Sequence, residues 1–377
     1  MALHFPDEAF ERRAPEEVSL DPERVQEATD YAKVNDTPAD QVRFDLTERE
    51  RYDESEAEHG EIIGPMPERR GGANGLVLRE GYLVAEWGDT TRTDHAFSVA
   101  KSVLSLVAGV AHDRGLFDVS DPVRETVDDG GFDSPHNAKV TWEHLLQGTS
   151  EWEGTLFDKP DSVDRNRAVG KDASEVGEHG VRELREPGAY WEYNDVRINR
   201  LALALLRILG EPLPDVLRES VMDPIGASGD WEWHGYRNST VEVDGRPVES
   251  VSGGGHWGGG LWIPTRDLAR VGLLALAGGR WGDERLIPKS WIEASTAPCP
   301  IKPTYGYLWW LNTGRGLWPN APESSFAAIG HGRNVLWVDP KHDLVAVVRW
   351  LRAHEGESRT DYPVMDGFFE RLLDAVE

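Results

Sequence analysis

The sequence predicts an α+β fold: an antiparallel sheet assembled from both ends of the chain, flanked by N- and C-terminal helices and interrupted by an inserted helical region. Three observations predict it. Short β-rich runs separated by turn residues occur near the start (74–88) and again near the end (334–350). A 13-letter core-helix pattern, I-N-R-L-A-L-A-L-L-R-I-L-G, sits in the middle, within a helix- and loop-rich block of about 118–250. Runs of strands at both ends with helices between them form one α+β sheet domain carrying an insertion. At 377 residues the chain can bury a large core.

Taken in order, residues 1–70 read as an acidic extension packing on the main domain, with one helix over about Pro22–Lys33 and a solvated charge run from Arg49 to Glu61. Asn74–Gly88 reads as two strands around the turn pair Glu80–Gly81. The segment Phe97–Gly115 follows, F-S-V-A-K-S-V-L-S-L-V-A-G-V-A-H-D-R-G. Its apolar spacing and closing glycine predict one buried helix. Thr141 opens a further short helix, and Ile198–Gly210 is a core helix stopped by glycine. Between them, Asp158–Glu186 is polar and reads as a loop over a site. The run G-G-G-H-W-G-G-G (253–260) demands tight turns or close backbone approach, and its His256 and Trp257 are candidates to wall a pocket. A helix with Thr265 as N-cap comes next. Residues 305–311, 334–339 and 343–350 then read as strands, and Tyr362–Val376 as a terminal amphipathic helix.

Charge and composition exclude several functions. A net charge of −27 opposes binding to nucleic acid, whose phosphates need clustered Lys and Arg. No apolar run spans a bilayer, and the start M-A-L-H-F-P-D-E lacks the basic and apolar stretches of a signal peptide, so the expectation is a cytoplasmic protein with no membrane partner. The lone Cys299 excludes an internal disulfide. The histidines are scattered with no H-E-x-x-H pair, so no metal or other cofactor is expected. G-x-S-x-G is absent as well.

The chemistry gathers at Ser98 and Lys101. Residues three apart share a helical face, so a hydroxyl and an amine lie side by side at a helix N-terminus. The first-turn N–H groups favour negative charge on an attacking oxygen. They disfavour an ammonium, and desolvation by apolar neighbours does the same, so Lys101 is expected to lose its proton readily. The bland alternative is an N-cap serine beside a lysine that snorkels to solvent. A second candidate group lies just before the core helix, in P-G-A-Y-W-E-Y-N-D, where the Tyr193 phenol can serve as base and then acid.

Ser98-Val-Ala-Lys101, Tyr193-Asn194-Asp195, the Gly259-Gly260-Leu261 that precedes T-R-D-L-A-R, and Gly330-His331-Gly332 before a β-hairpin occur in one order. Over about residues 70–377 the chain resembles the serine β-lactamase-related superfamily: class C β-lactamases, D-aminopeptidases and D-Ala-D-Ala carboxypeptidases, EstB-type esterases and 6-aminohexanoate-dimer hydrolases. The resemblance implies the β-lactamase/transpeptidase-like fold, with Ser98 as acylated nucleophile, Lys101 as proton acceptor, and Tyr193 sharing the base role and protonating the leaving group. It places Asn194, Asp195, His331, Gly332, Arg333 and Asn334 at the substrate, with a backbone N–H near Arg333–Asn334 as second oxyanion donor. Two positions depart from the family pattern. Asp195 stands where Y-x-N has its asparagine, and His331-Gly332-Arg333 replaces K-T-G. An amide donor and a carboxylate-binding lysine are thereby lost, which points away from β-lactams and toward a small-molecule ester or amide. The alternatives are a true β-lactamase or D-peptidase, and an inactive binding module of the same fold.

Overall fold

The computed structural model describes residues 3–37, 64, 70–165, 182–253, 260–352 and 363–377. The charge run at 49–61 and the pocket candidates His256 and Trp257 lie outside the described residues. The principal elements are α1 (Pro22–Val34), β1 (Gly75–Arg79), β2 (Tyr82–Trp87), β3 (Thr93–His95), α2 (Val99–Asp113), α3 (Trp142–Gln147) and α4 (Asp195–Leu209). They continue with β4 (Gly235–Val243), β5 (Arg246–Val251), β6 (Leu261–Pro264), α5 (Thr265–Leu276), β7 (Trp310–Leu311), β8 (Phe326–Gly330), β9 (Asn334–Asp339), β10 (Leu344–Val348) and α6 (Pro363–Leu373).

The main sheet has six strands in the order β7-β8-β9-β10-β1-β2, every neighbour antiparallel. The two ends of the chain meet where β1 pairs with β10, Gly75 opposite Val348 and Arg79 opposite Leu344. The chain between β2 and β7 is therefore an excursion from one sheet, as the strand runs at both ends predict. Glu80 and Gly81 both take positive φ (54° and 88°), the geometry a tight two-residue hairpin requires.

Adjacent residues of a strand face opposite sides, so both faces of the sheet need cover. On one, Trp337 of β9 stacks on Phe369 of α6 with centroids 4.4 Å apart, and α1 lies against α6 with Arg371 4.0 Å over the Tyr31 ring. On the other, Leu336 meets α5 at Gly272. A Cβ there would sit 2.5 Å from Leu336 and 2.7 Å from Val345, so glycine sets how closely the helix approaches.

Several elements differ from the sequence reading. Strand β8 is unforeseen, and of the run 305–311 only Trp310–Leu311 pairs as a strand. The inserted block holds a hairpin, β4–β5, turning at Asp244-Gly245 with φ of 51° and 74°; Asp-Gly is a strong hairpin signal that the helical reading of this block passed over. Thr265 is the first residue of α5 rather than its cap. Pro264 precedes it, and the Thr265 hydroxyl donates to Asn74 Oδ1 at 2.6 Å, tying α5 to the start of β1. No helix among the described residues is long and apolar enough to cross a membrane.

Candidate active site

Ser98 is the N-cap residue of α2, yet its hydroxyl makes no capping bond to the helix. It accepts instead from Lys101 Nζ at 3.0 Å. The turn that delivers it is unusual, because Phe97 takes φ 51°, a left-handed conformation that a bulky residue adopts only when its surroundings enforce it. Those surroundings are His95, stacked on Trp262 of β6, the edge of the Trp350 ring, and the ring of His331 5.3 Å away. Lys101 does not snorkel; it is 2% exposed.

The second half of the site arrives with the start of α4. Asp195, its first residue, places Oδ1 2.8 Å from Lys101 Nζ, and the Tyr193 ring centre lies 4.6 Å from the same nitrogen. Tyr193 stacks on Trp310 of β7 and meets the edge of Tyr305. Ser98, Lys101, Tyr193 and Asp195 thus converge. Burial lowers the proton affinity of the Lys101 amine, but the charges of Asp195 and Tyr193 outweigh it and hold the group above its ordinary range. The expectation of an easily deprotonated lysine is overturned, because the sequence reading counted desolvation and the helix dipole but had no carboxylate in contact. Asp195 is accordingly an ionic partner of the lysine. Burial, with the charges of Tyr193 and Asp195 added, pushes the Tyr305 phenol well up.

Asn194 has a different place from the one expected. Its Oδ1 accepts from Arg197 N at 3.2 Å and its Nδ2 donates to the Asp161 carbonyl at 2.9 Å, so the amide caps α4 and is buried with both ends engaged.

Beneath this segment lies a buried ionic cluster. Arg197 contacts Glu151 at 2.9 Å, Asp161 at 3.1 Å and Glu192 at 3.1 Å, while Arg182 reaches Glu151 and Glu192 at 2.8 Å. Asp164 Oδ2 accepts from the backbone N–H of Asp195 at 2.9 Å. Together these groups fix the first turn of α4 against the inserted loop. Sequence reading missed all of them. The one available signal was Arg197 itself, a charge two residues after Asp195 at the head of a core helix, which needs partners when buried.

The third wall is the end of β8. A Cβ on Gly330 would run into the Ala96 carbonyl oxygen and come within 3.2 Å of Phe97 Cβ, so only glycine lets this strand lie beside the turn carrying Ser98. The residues after it form a turn with His331 exposed, Gly332 and Arg333 at φ 70° and 57°, and Asn334 buried, its Nδ2 donating to the His331 carbonyl at 2.7 Å. Of these residues His331 meets the Phe97 ring, while Gly332 lies against Trp350 and Asn334 holds the turn together. Gly330→Val is expected to push β8 off the turn carrying Ser98 and lower turnover at least about tenfold, with a smaller fall in thermal midpoint than a core cavity causes. Steady-state kinetics beside a melting curve check it, and unchanged turnover would refute the role given to the glycine.

Comparison with known proteins gives the family and the fold. A family model described as Beta-lactamase matches residues 61–366. The chain is 26% identical to the 6-aminohexanoate-dimer hydrolase of Paenarthrobacter ureafaciens over 80% of this chain and 78% of that one. Among solved structures it superposes on a family VIII carboxylesterase with a TM-score of 0.58 at 18% identity, covering 81% of this chain and 93% of the other. A penicillin-binding protein homolog from Caulobacter crescentus gives a TM-score of 0.59 at 17% identity, with the same coverage of both chains. The fold is that of β-lactamases and transpeptidases, and the chain belongs to the beta-lactamase family of serine hydrolases.

Proposed function

We propose that this protein is a serine hydrolase that forms an acyl-enzyme on Ser98 and acts on carboxylic esters or small amides. One observation carries the reading: a hydroxyl at a helix N-terminus, not used as a cap, 3.0 Å from a buried lysine on which Tyr193 and Asp195 converge. Once the Lys101 ammonium has given up a proton, Ser98 Oγ attacks the substrate carbonyl carbon while its proton passes to the Lys101–Tyr193 pair. Tyr193 then protonates the leaving group, and water hydrolyses the ester on Ser98. The backbone N–H of Ser98 and one from the turn at Arg333–Asn334 stabilise the oxyanion. Esters and small amides are favoured over β-lactams because the turn after β8 offers His331-Gly332-Arg333 in place of a lysine that binds a carboxylate. The relative from P. ureafaciens, named for an amide-dimer substrate, supports the amide half of this reading.

Intact-mass spectrometry after treatment with a fluorophosphonate, with p-nitrophenyl butyrate and nitrocefin turnover measured in parallel, tests it. The expected result is a single adduct, ester turnover and no nitrocefin turnover. Fast nitrocefin turnover would make the protein a true β-lactamase. A folded protein with neither adduct nor turnover would be a binding module.

A further inference from the structure

An amine that is to accept a proton needs its lone pair free, and the partner of Lys101 works against that. Nζ sits 2.8 Å from Asp195 Oδ1, with side-chain exposures of 2% and 6%. A carboxylate in contact with a buried amine stabilises the ammonium form, since the pair loses its attraction when either member is neutral. Asp195 is held there by structure: its N–H donates to Asp164, Asn194 caps the helix beside it, and Arg197 anchors the same turn to Glu151, Asp161 and Glu192. The titratable groups around the pair are Ser98 on α2, Tyr193 ahead of α4, Tyr305 before β7, Tyr236 on β4 and Asp164 of the inserted loop. Asp195 is the carboxylate that pairs with Nζ.

We propose that Asp195 is a positioning residue that holds Lys101 as an ammonium directed at Ser98 Oγ, and that it thereby places the working range of the enzyme on the alkaline side. This inference rests on the reading of Ser98 as nucleophile. Before attack the ammonium releases one proton to water. The freed amine then takes the Oγ proton as Oγ bonds to the carbonyl carbon and the carbonyl electron pair moves onto oxygen. Acylation by this route rises with pH through the titration of Lys101. An uncharged amide at position 195 lowers that titration, because it removes the anion and keeps the burial.

The chain has few lysines, so their Nζ groups can be followed by NMR in the full-length protein labelled with ¹⁵N-lysine, with Lys101→Met assigning the signal. In Asp195→Asn the Lys101 midpoint is expected to fall by about one pH unit or more, and in Tyr193→Phe by less. The rising limb of the rate of Ser98 labelling by fluorophosphonate should move in the same direction. If Asp195→Asn leaves both the midpoint and the limb in place, the proposal is overturned. Should that variant not fold, Lys101→Met supplies the reciprocal measurement: the Asp195 carboxyl, followed by ¹³Cγ, should titrate at higher pH, and an unmoved carboxyl overturns the proposal equally. A shifted lysine in a wild-type protein that never labels at Ser98 would uphold the ion pair and sink only the reading of Ser98 as nucleophile.

Discussion

Ser98→Ala is expected to abolish the fluorophosphonate adduct and to lower ester turnover by about 10³-fold or more, with the far-ultraviolet circular dichroism unchanged. The size of the loss follows from the bond that disappears: without Oγ no acyl-enzyme forms, and only substrate positioning and oxyanion stabilisation are left to speed direct attack by water. The fold should tolerate the change. Ser98 makes no capping bond to α2, and Lys101 keeps its ion pair with Asp195 at 2.8 Å. Intact mass and stopped-flow hydrolysis provide the check. Turnover within tenfold of wild type would place the nucleophile elsewhere.

Arg197→Met should produce the largest loss of stability. The arginine pairs with Glu151, Asp161 and Glu192 at 2.9–3.1 Å, all inside the protein. Removing one partner of a buried ion pair costs about 3–5 kcal/mol, because the carboxylates left behind are desolvated without full compensation. Arg182 still reaches Glu151 and Glu192, and Arg165 reaches Asp161 at 2.9 Å, so partial retention of structure is expected. The pH dependence has a definite sign. Burial pushes the Glu151 carboxyl up, but its bonds to Arg182 and the charge of Arg197 outweigh that and hold it below its ordinary range. A depressed carboxyl contributes stability that is present above its unfolded pKa and lost as pH falls through the folded one. The substitution raises the folded value toward the unfolded one, so the loss of stability should be full at neutral pH and narrow as acid protonates the carboxyls. Urea midpoints at pH 7.5 and at a pH below the ordinary carboxyl range measure both effects, and a variant as stable as wild type at pH 7.5 would remove the cluster from the account of what fixes α4. Because that turn carries Asp195, loss of ester turnover should accompany the loss of stability.

Local patterns made much of the molecule legible before its structure. The hairpin at Glu80–Gly81 follows from turn chemistry, the buried helix of Ser98 and Lys101 from apolar spacing, and the stop of α4 at Gly210, with φ 71°, from the freedom of glycine. The errors lie where local signals compete. The Asp244-Gly245 hairpin was absorbed into a helical block, and β8, F-A-A-I-G, is a fully buried strand whose short apolar run carries no alternation to distinguish it.

By itself the sequence determined that both ends of the chain build one sheet, that a hydroxyl and an amine share the first turn of a buried helix, and that a tyrosine precedes a second core helix. These are properties of neighbours along the chain. Only the tertiary structure decided that the carboxylate of Asp195 meets Lys101, that Asn194 is a cap, that Gly330 makes room for Ser98, and that Arg197 gathers three acids beneath the site. Charge and proton affinity depend on separation through space and on the exclusion of water, and the spacing of residues along a chain encodes neither.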